Sequence, residues 1–333
     1  MVGALIDGQS LQEGCPYFFY HKSLKMSLLV IGTVAFDTIE TPYGKAEKVI
    51  GGSCTYISWS ASYFHKDIKL QAIVGDDFPD SEIKALQSRG VSTEGLEIIN
   101  GKKSFFWAGK YHENMNSRDT LVTDLNVLAD FNPILPDSYK EADYVMLGNL
   151  TPEIQLSVLN QLNKRPKLVV LDTMNFWMDI AMDALKKVIA RVDILTLNEE
   201  EARQLSGQFS LVKAAHAIMD MGPKFLIIKK GEHGALLFSA EHIFFAPALP
   251  LAQVYDPTGA GDTFAGGFIG WLAQTDDISF ENMKRAIIYG SAMASFCVED
   301  FSISKMKSLD YDMIKERVKK FVELVRFDSE VSE

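Results

Sequence analysis

Cysteine is scarce. Cys15, Cys54 and Cys297 are the only three in 333 residues, and no two form a CxxC pair. An odd number of widely spaced thiols argues against a disulfide framework and fits a reducing, cytoplasmic setting. The six histidines show no HExxH or comparable ligand spacing, which argues against a zinc centre. No apolar run approaches the length of a bilayer span, so no membrane partner is expected. An excess of positive charge is missing too. With 33 basic and 44 acidic residues the net charge is −11, and such a surface repels phosphate backbones and anionic lipids. A nucleic-acid partner is therefore not expected either. A small anion can still be held locally by N–H groups, a basic side chain and a metal ion.

What the chain does have is core-forming material. Hydrophobic residues make up 47% of it, and its length suits one large α/β domain with or without a small appendage. Residues 1–25 lack periodicity, and their apolar patch at Pro16–Tyr20 has the wrong length and flanks for a secretory signal. They are expected to be a disordered or dispensable extension, or to precede the true start, before a domain at 26–330. From Ser27 onward short apolar runs alternate with amphipathic ones, the pattern of a parallel sheet covered by helices. Strands are predicted at Leu28–Gly32, Leu70–Val74, Tyr144–Leu147, Leu168–Leu171, Ile194–Leu197 and Phe225–Lys229. Helices are predicted at Thr55–His65, Ser81–Arg89, Pro152–Leu162, Ala181–Ala190, Leu211–Met221, after Asp262, at Glu281–Val298 and at Tyr311–Val325. Thr38–Ile50 and Glu97–Asn126 break the rhythm with strand formers and turns. They read as extra strands outside the main sheet, a small β lid over one sheet edge that excludes water from a reaction. Exposed lid edges invite pairing, so a homodimer through them is one expectation.

The most informative run is Asp256-Pro257-Thr258-Gly259-Ala260-Gly261-Asp262-Thr263-Phe264. A glycine turn opening onto a helix makes an anion pocket, because unpaired N–H groups and the helix dipole both favour negative charge there. Asp262 stands inside that pocket. A carboxylate where an anion belongs is costly unless it takes a proton from an attacking hydroxyl, and the combination points to phosphoryl transfer. A dinucleotide fold fits less well. Phe264 occupies the third small position of a GxGxxG pattern, and the run arrives late in the chain rather than in the first βα turn.

The Asp256–Phe268 run resembles the C-terminal signature of the ribokinase family of carbohydrate kinases, and other segments agree from Ser27 to about Val325. Gly51-Gly52 resembles the family's diglycine signature. Ile73–Phe78 matches its second strand exit, Asn198-Glu199-Glu200-Glu201 its Asn-x-x-Glu motif, and Ile227–Gly234 the strand-turn beside the nucleotide. The resemblance implies a three-layer α/β/α fold with a mostly parallel central sheet and a small β lid. It also implies ATP with Mg2+ as cofactors and a sugar or nucleoside as acceptor. Asp262 then matches the catalytic base, and Gly259, Ala260 and Gly261 the anion hole. Asn198 and Glu201 match residues that organise magnesium through water, and Gly231 a nucleotide-binding turn, with Lys230 beside it. Asp37 matches the acid that binds substrate hydroxyls, and Gly51 and Gly52 a hinge that lines the sugar site.

Plainer readings stand beside these. Asn198 with three acids is also a good helix cap, Asp37 a turn residue, Gly51-Gly52 loop punctuation, and Lys230 a solvated lysine. The chain also departs from the family. Tyr56 replaces the asparagine expected in the diglycine helix, which implies an altered acceptor pocket. The family's monovalent-cation site is matched by Asp256 and Thr258, yet the Val298–Ser302 loop lacks the expected glycine, so K+ activation stays open. Lys45, Lys48, Lys102, Lys103, Lys110 and Arg118 could hold a substrate phosphate. The aromatics Phe105, Phe106, Trp107 and Tyr111, with Phe36 and Tyr56 flanking, favour a neutral pentose or nucleoside. A phosphosugar kinase, or a regulator that binds ligand without catalysis, remains the alternative, although the latter has no need of a base.

Overall fold

The computed structural model describes residues 26–326; the extension expected over residues 1–25 lies outside them. Thirteen strands run in chain order: β1 (Leu28–Ile31), β2 (Ala35–Thr41), β3 (Gly44–Gly51), β4 (Ile68–Gly75), β5 (Val91–Ile99), β6 (Phe105–Tyr111), β7 (Arg118–Asp124), β8 (Tyr144–Leu147), β9 (Leu168–Asp172), β10 (Ile194–Asn198), β11 (Phe225–Lys229), β12 (Ala235–Phe238) and β13 (Ile243–Ala246). Nine of them form one sheet in the order β13-β12-β11-β10-β9-β8-β1-β4-β5. All its pairings are parallel except those made by β12 and β13.

The sheet is buried on both faces because its strands are apolar throughout rather than alternating. In β1, Leu28 and Val30 enter one core and Leu29 and Ile31 the other, and β8 divides in the same way. Helices Ser53–Ala61, Ala260–Thr275 and Phe280–Cys297 cover the first face. Helices Pro152–Gln161, Met182–Ile189, Glu199–Ser206 and Leu211–Met219 cover the second. A Cβ at Gly266 would lie 2.3 Å from the Ile57 carbonyl oxygen, and one at Gly270 would lie 2.7 Å from Ala61 Cα. Small residues thus let the Ala260–Thr275 helix pack close against Ser53–Ala61, with Ser60 Oγ donating to the Thr263 carbonyl at 2.7 Å.

The extra strands do form a separate sheet, β3-β2-β6-β7. Its limits differ from expectation in both segments, β2 beginning at Ala35 rather than Thr38. Residues 97–99 end β5, which pairs in parallel with β4 in the main sheet, so the second lid segment begins at Phe105. Its placement differs as well. Tyr111 meets Thr258, and Asn116 in the β6–β7 turn meets Glu232 just past β11, so the lid leans on loops at the carboxyl ends of strands rather than on a sheet edge.

Candidate active site

Asp262 is the third residue of the Ala260–Thr275 helix, whose cap is Gly259 in the left-handed region at φ 73°. The helix therefore begins two residues before Asp262 rather than after it. A Cβ at Gly259 would strike the Tyr56 ring at 2.4–2.5 Å, so both the backbone angle and the space require glycine. Of the amides expected to form the anion hole, Ala260 N–H is already engaged by the Pro257 carbonyl at 3.2 Å. Among the described residues, the N–H groups of Gly261 and Asp262 have no partner, as expected for the first turn of a helix. Asp262 Oδ1 is likewise buried without a hydrogen-bond partner. Burial and the nearby Asp172 raise its carboxyl to about 7, against the pull of Lys229 and Arg118.

Two residues that sequence reasoning did not single out, Asp172 and Lys229, join the expected Asn198 in this corner. Asp172, Asn198 and Lys229 end the neighbouring strands β9, β10 and β11. Lys229 Nζ lies 2.8 Å from Asp172 Oδ1, which also accepts from Thr196 Oγ1 at 3.2 Å. The same Nζ is 3.1 Å from where a Cβ on Gly261 would be. Lys229 is thus the lysine beside the Gly259–Gly261 turn; Lys230 opens the turn after β11, its N–H donating to the Gly234 carbonyl at 2.8 Å. Arg118 comes from the lid. The rule that ligands gather at the carboxyl ends of parallel strands was the available signal for Asp172 and Lys229.

Asn198 and Glu201 form a capping box. Glu201 N–H donates to Asn198 Oδ1 at 2.8 Å, and Asn198 N–H donates to Glu201 Oε2 at 2.7 Å. The plainer reading of this motif is therefore realised. Glu201 nevertheless belongs to the cluster electrostatically: burial and Asp172 raise its carboxyl to about 6 while Lys229 and the Asn198 N–H oppose the rise. Among the described residues no group of three or more acids, cysteines or histidines forms a metal cage. Asp172, Glu201 and Asp262 around one ammonium suit a divalent cation that keeps its waters and arrives on a triphosphate, not an all-protein site. Gly231 sits in the next turn at φ 54°, where the only contact awaiting a Cβ is Asn116 Oδ1 at 3.3 Å.

On the acceptor side, Asp37 of β2 is 5% exposed, and a Cβ on Gly51 would meet its Oδ2 at 2.0 Å. Gly51 ends β3, and Gly52, at φ 91°, caps the Ser53–Ala61 helix. Burial, Asp256 and Asp262 push the Asp37 carboxyl up to about 8. Asp37 pairs across the lid with Trp107, and Tyr111 pairs with Arg118. Tyr111 OH accepts from Thr258 Oγ1 at 3.2 Å, so this lid face looks onto the anion-hole segment. Phe36 and Phe106 pair with each other on the opposite face. They line a separate cleft of about 220 Å³ with Lys48, Asp77 and Asp124. Phe36 thus does not flank the acceptor site as expected.

Tyr56 is 1% exposed and lies under Gly259, its hydroxyl buried without a partner. It forms the floor of the site instead of an open acceptor contact. Asp256 is fully buried; its Oδ1 accepts Thr258 N–H at 2.8 Å and its Oδ2 accepts Ser302 N–H at 3.0 Å. Ser302 takes the left-handed conformation, φ 59°, without being glycine, and its hydroxyl donates to the Ile50 carbonyl. The loop's missing glycine is thus accommodated.

A profile of the pfkB family carbohydrate kinases matches residues 25–308. A cytidine kinase of Thermococcus kodakarensis is 32% identical over 250 residues, 73% of this chain and 87% of the relative. A nucleoside kinase of Methanothermobacter thermautotrophicus is 23% identical over 302 residues, 82% of this chain and 89% of the relative. Among solved structures, the Methanocaldococcus jannaschii nucleoside kinase superposes with a TM-score of 0.70 at 20% identity, covering 89% of this chain and 99% of its own. Arabidopsis thaliana ribokinase complexed with ribose and ATP gives 0.68 at 20% identity over the same shares. A family profile that spans most of the chain settles the point: the chain belongs to the pfkB family of carbohydrate kinases.

Proposed function

We propose that the protein transfers the γ-phosphoryl group of ATP to a hydroxyl of a nucleoside or neutral sugar, with Asp262 as general base. One observation carries the reading: Asp262 Oδ1 is buried and unpartnered at the head of a helix whose Gly261 and Asp262 N–H groups are free. Leaving a buried acceptor unsatisfied costs about 1–3 kcal/mol, and the proton of a bound hydroxyl removes that cost. Asp37 holds a second hydroxyl of the acceptor, and Gly51 leaves room for it. The acceptor oxygen gives its proton to Asp262 and forms a new O–P bond as the bridging O–P bond breaks, ADP leaving with the electron pair. The Gly261 and Asp262 amides face the phosphoryl oxygens that gain charge. Glu201 and Asp172 would hold Mg2+ through water, and the ion would supply positive charge beside the triphosphate. Gly231 and the Asn198–Glu201 corner flank the nucleotide, and Asp256 with Thr258 offers the position for a monovalent cation.

The acceptor is read as neutral because most lid cations already have partners. Lys45 pairs with Glu47, Lys48 with Asp77, Lys102 with Asp130 and Lys110 with Glu40. A nucleoside is favoured by Trp107, whose ring lies across Gly109, with the Arg118 guanidinium 5.6 Å from its centroid. An aromatic face and a planar cation together suit a base. The names of the cytidine and nucleoside kinase relatives support this choice. The exposed edge strand β7, carrying Leu121 and Val122, supports a homodimer through the lid.

The test is ADP release over a panel of nucleosides, pentoses and sugar phosphates with Mg2+, with and without K+. Release that depends on a nucleoside or neutral sugar is expected. Release independent of every acceptor, or none at all, refutes the reading.

A further inference from the structure

We propose that Lys229 is a further catalytic residue, whose ammonium leaves Asp172 and contacts the γ-phosphoryl group as it crosses from ATP to the acceptor. The proposal rests on the phosphoryl-transfer reading given above. A lysine at the end of a buried strand needs a partner, and Lys229 has one: the 2.8 Å contact with Asp172 Oδ1. Two features set it apart from a purely structural ion pair. The first is position. Its Nζ lies 3.1 Å from the Cβ site that Gly261 leaves open, beside a residue whose own amide is unpaired. A phosphoryl oxygen accepting from Gly261 N–H at about 2.9 Å lies within reach of a small rotation of the lysine stem.

The second feature is balance. Asp172, Glu201 and Asp262 all lie near enough to act on this one ammonium, which directly contacts only the first. One cation is thus shared among three carboxyl groups, so its bond to Asp172 is one of several positions open to it. When the lysine turns to a phosphoryl oxygen, Asp172 keeps the Thr196 hydroxyl and Glu201 keeps the Asn198 N–H, so neither is stranded. Its moving charge also screens Asp262 from the incoming phosphate. In the step itself the lysine neither gains nor loses a proton; it follows the three peripheral oxygens from donor to acceptor while the proton goes to Asp262.

The experiment compares wild type with Lys229→Met, which keeps the stem and removes the charge. Binding of a non-hydrolysable ATP analogue and of ADP is measured by calorimetry, and turnover by ADP release. The expected result is a fall in kcat of about 10²-fold or more, with acceptor KM within about twofold of wild type. ATP-analogue affinity should drop about tenfold while ADP affinity changes little, because only the former carries the group that Lys229 touches. A structural ion pair would not separate the two nucleotides. Equal losses for both, or a kcat within about threefold of wild type, overturn the proposal.

Since Lys229→Met leaves Asp172 buried without its partner, Lys229→Met with Asp172→Asn serves as a second variant free of that unpaired charge. Compared with Asp172→Asn alone, which carries any loss of the Mg2+ contact, it should lose further preference for the ATP analogue over ADP; a preference equal to that of Asp172→Asn overturns the proposal. A wild type that releases no ADP with any acceptor overturns the kinase reading and this inference together. Acceptor-dependent wild-type turnover matched by Lys229→Met overturns this inference alone.

Discussion

Burial sets the pH at which the base is ready. Asp262 is raised to about 7 by desolvation and by Asp172, while Lys229 and Arg118 hold it below what burial alone would give. A base must be ionised to accept a proton, so kcat/KM should climb through neutrality. At pH 6 roughly 9% of such a group is ionised and at pH 8 roughly 91%, which makes the expected rise from Asp262 about tenfold, with Asp37, raised to about 8, titrating above it. The profile belongs to the carboxylate cluster as a whole, since Asp172 and Asp262 feel each other. Two variants locate its origin. Asp262→Asn should cut turnover about 10²–10⁴-fold and remove the rising limb. Arg118→Ala deletes one of the charges that lower the pKa and should move the limb to higher pH. ADP release measured from pH 5 to 9 at saturating ATP and low acceptor decides the matter. A flat profile from pH 5 to 8, or a limb that persists unchanged in Asp262→Asn, refutes the reasoning.

Gly259→Ala should destabilise the fold by about 3 kcal/mol or more, combining the left-handed strain of about 1–2 kcal/mol with overpacking against the Tyr56 ring. Thermal unfolding reads the loss, and a melting temperature equal to wild type would contradict it. Asp37→Asn should raise acceptor KM and yet stabilise the protein at high pH. The folded-state pKa is raised from 3.8 to about 8, so the folded state binds the proton more tightly and wild-type stability falls as pH rises through that window. At about 1.36 kcal/mol per unit the gain from removing the charge is several kcal/mol at pH 9 and vanishes near pH 4. Denaturant titrations at both pH values check it, and equal stabilities of the two proteins at pH 9 would contradict it.

The sheet was legible because its strands are short, apolar and flanked by amphipathic helices: β8 and β11 fall at their expected limits. β5 was partly misread because it is a half-buried edge strand whose Ser92-Thr93-Glu94-Gly95 stretch looks like a turn. Neither β12 nor β13, the antiparallel end of the sheet, was foreseen. Motif residues that act through the backbone, such as Gly259 and Gly51, were visible as glycines. Asp172 and Lys229 were not, because each is a single polar residue ending an apolar strand, and they meet only across 57 residues of chain. Arg118 depends on lid register, which no local pattern encodes. Ala260 was misjudged for a related reason: whether an amide is free depends on where a carbonyl three residues earlier points.

The β6–β7 hairpin has one further consequence. Trp107, near its root, stands across from the acceptor acid Asp37, while Asn116, at its tip, touches Glu232 and crowds Gly231 beside the nucleotide turn. One hairpin thus reaches both of the proposed substrate positions. If binding at one end tilts it, the two ligands are linked reciprocally, each changing the affinity for its partner by the same factor.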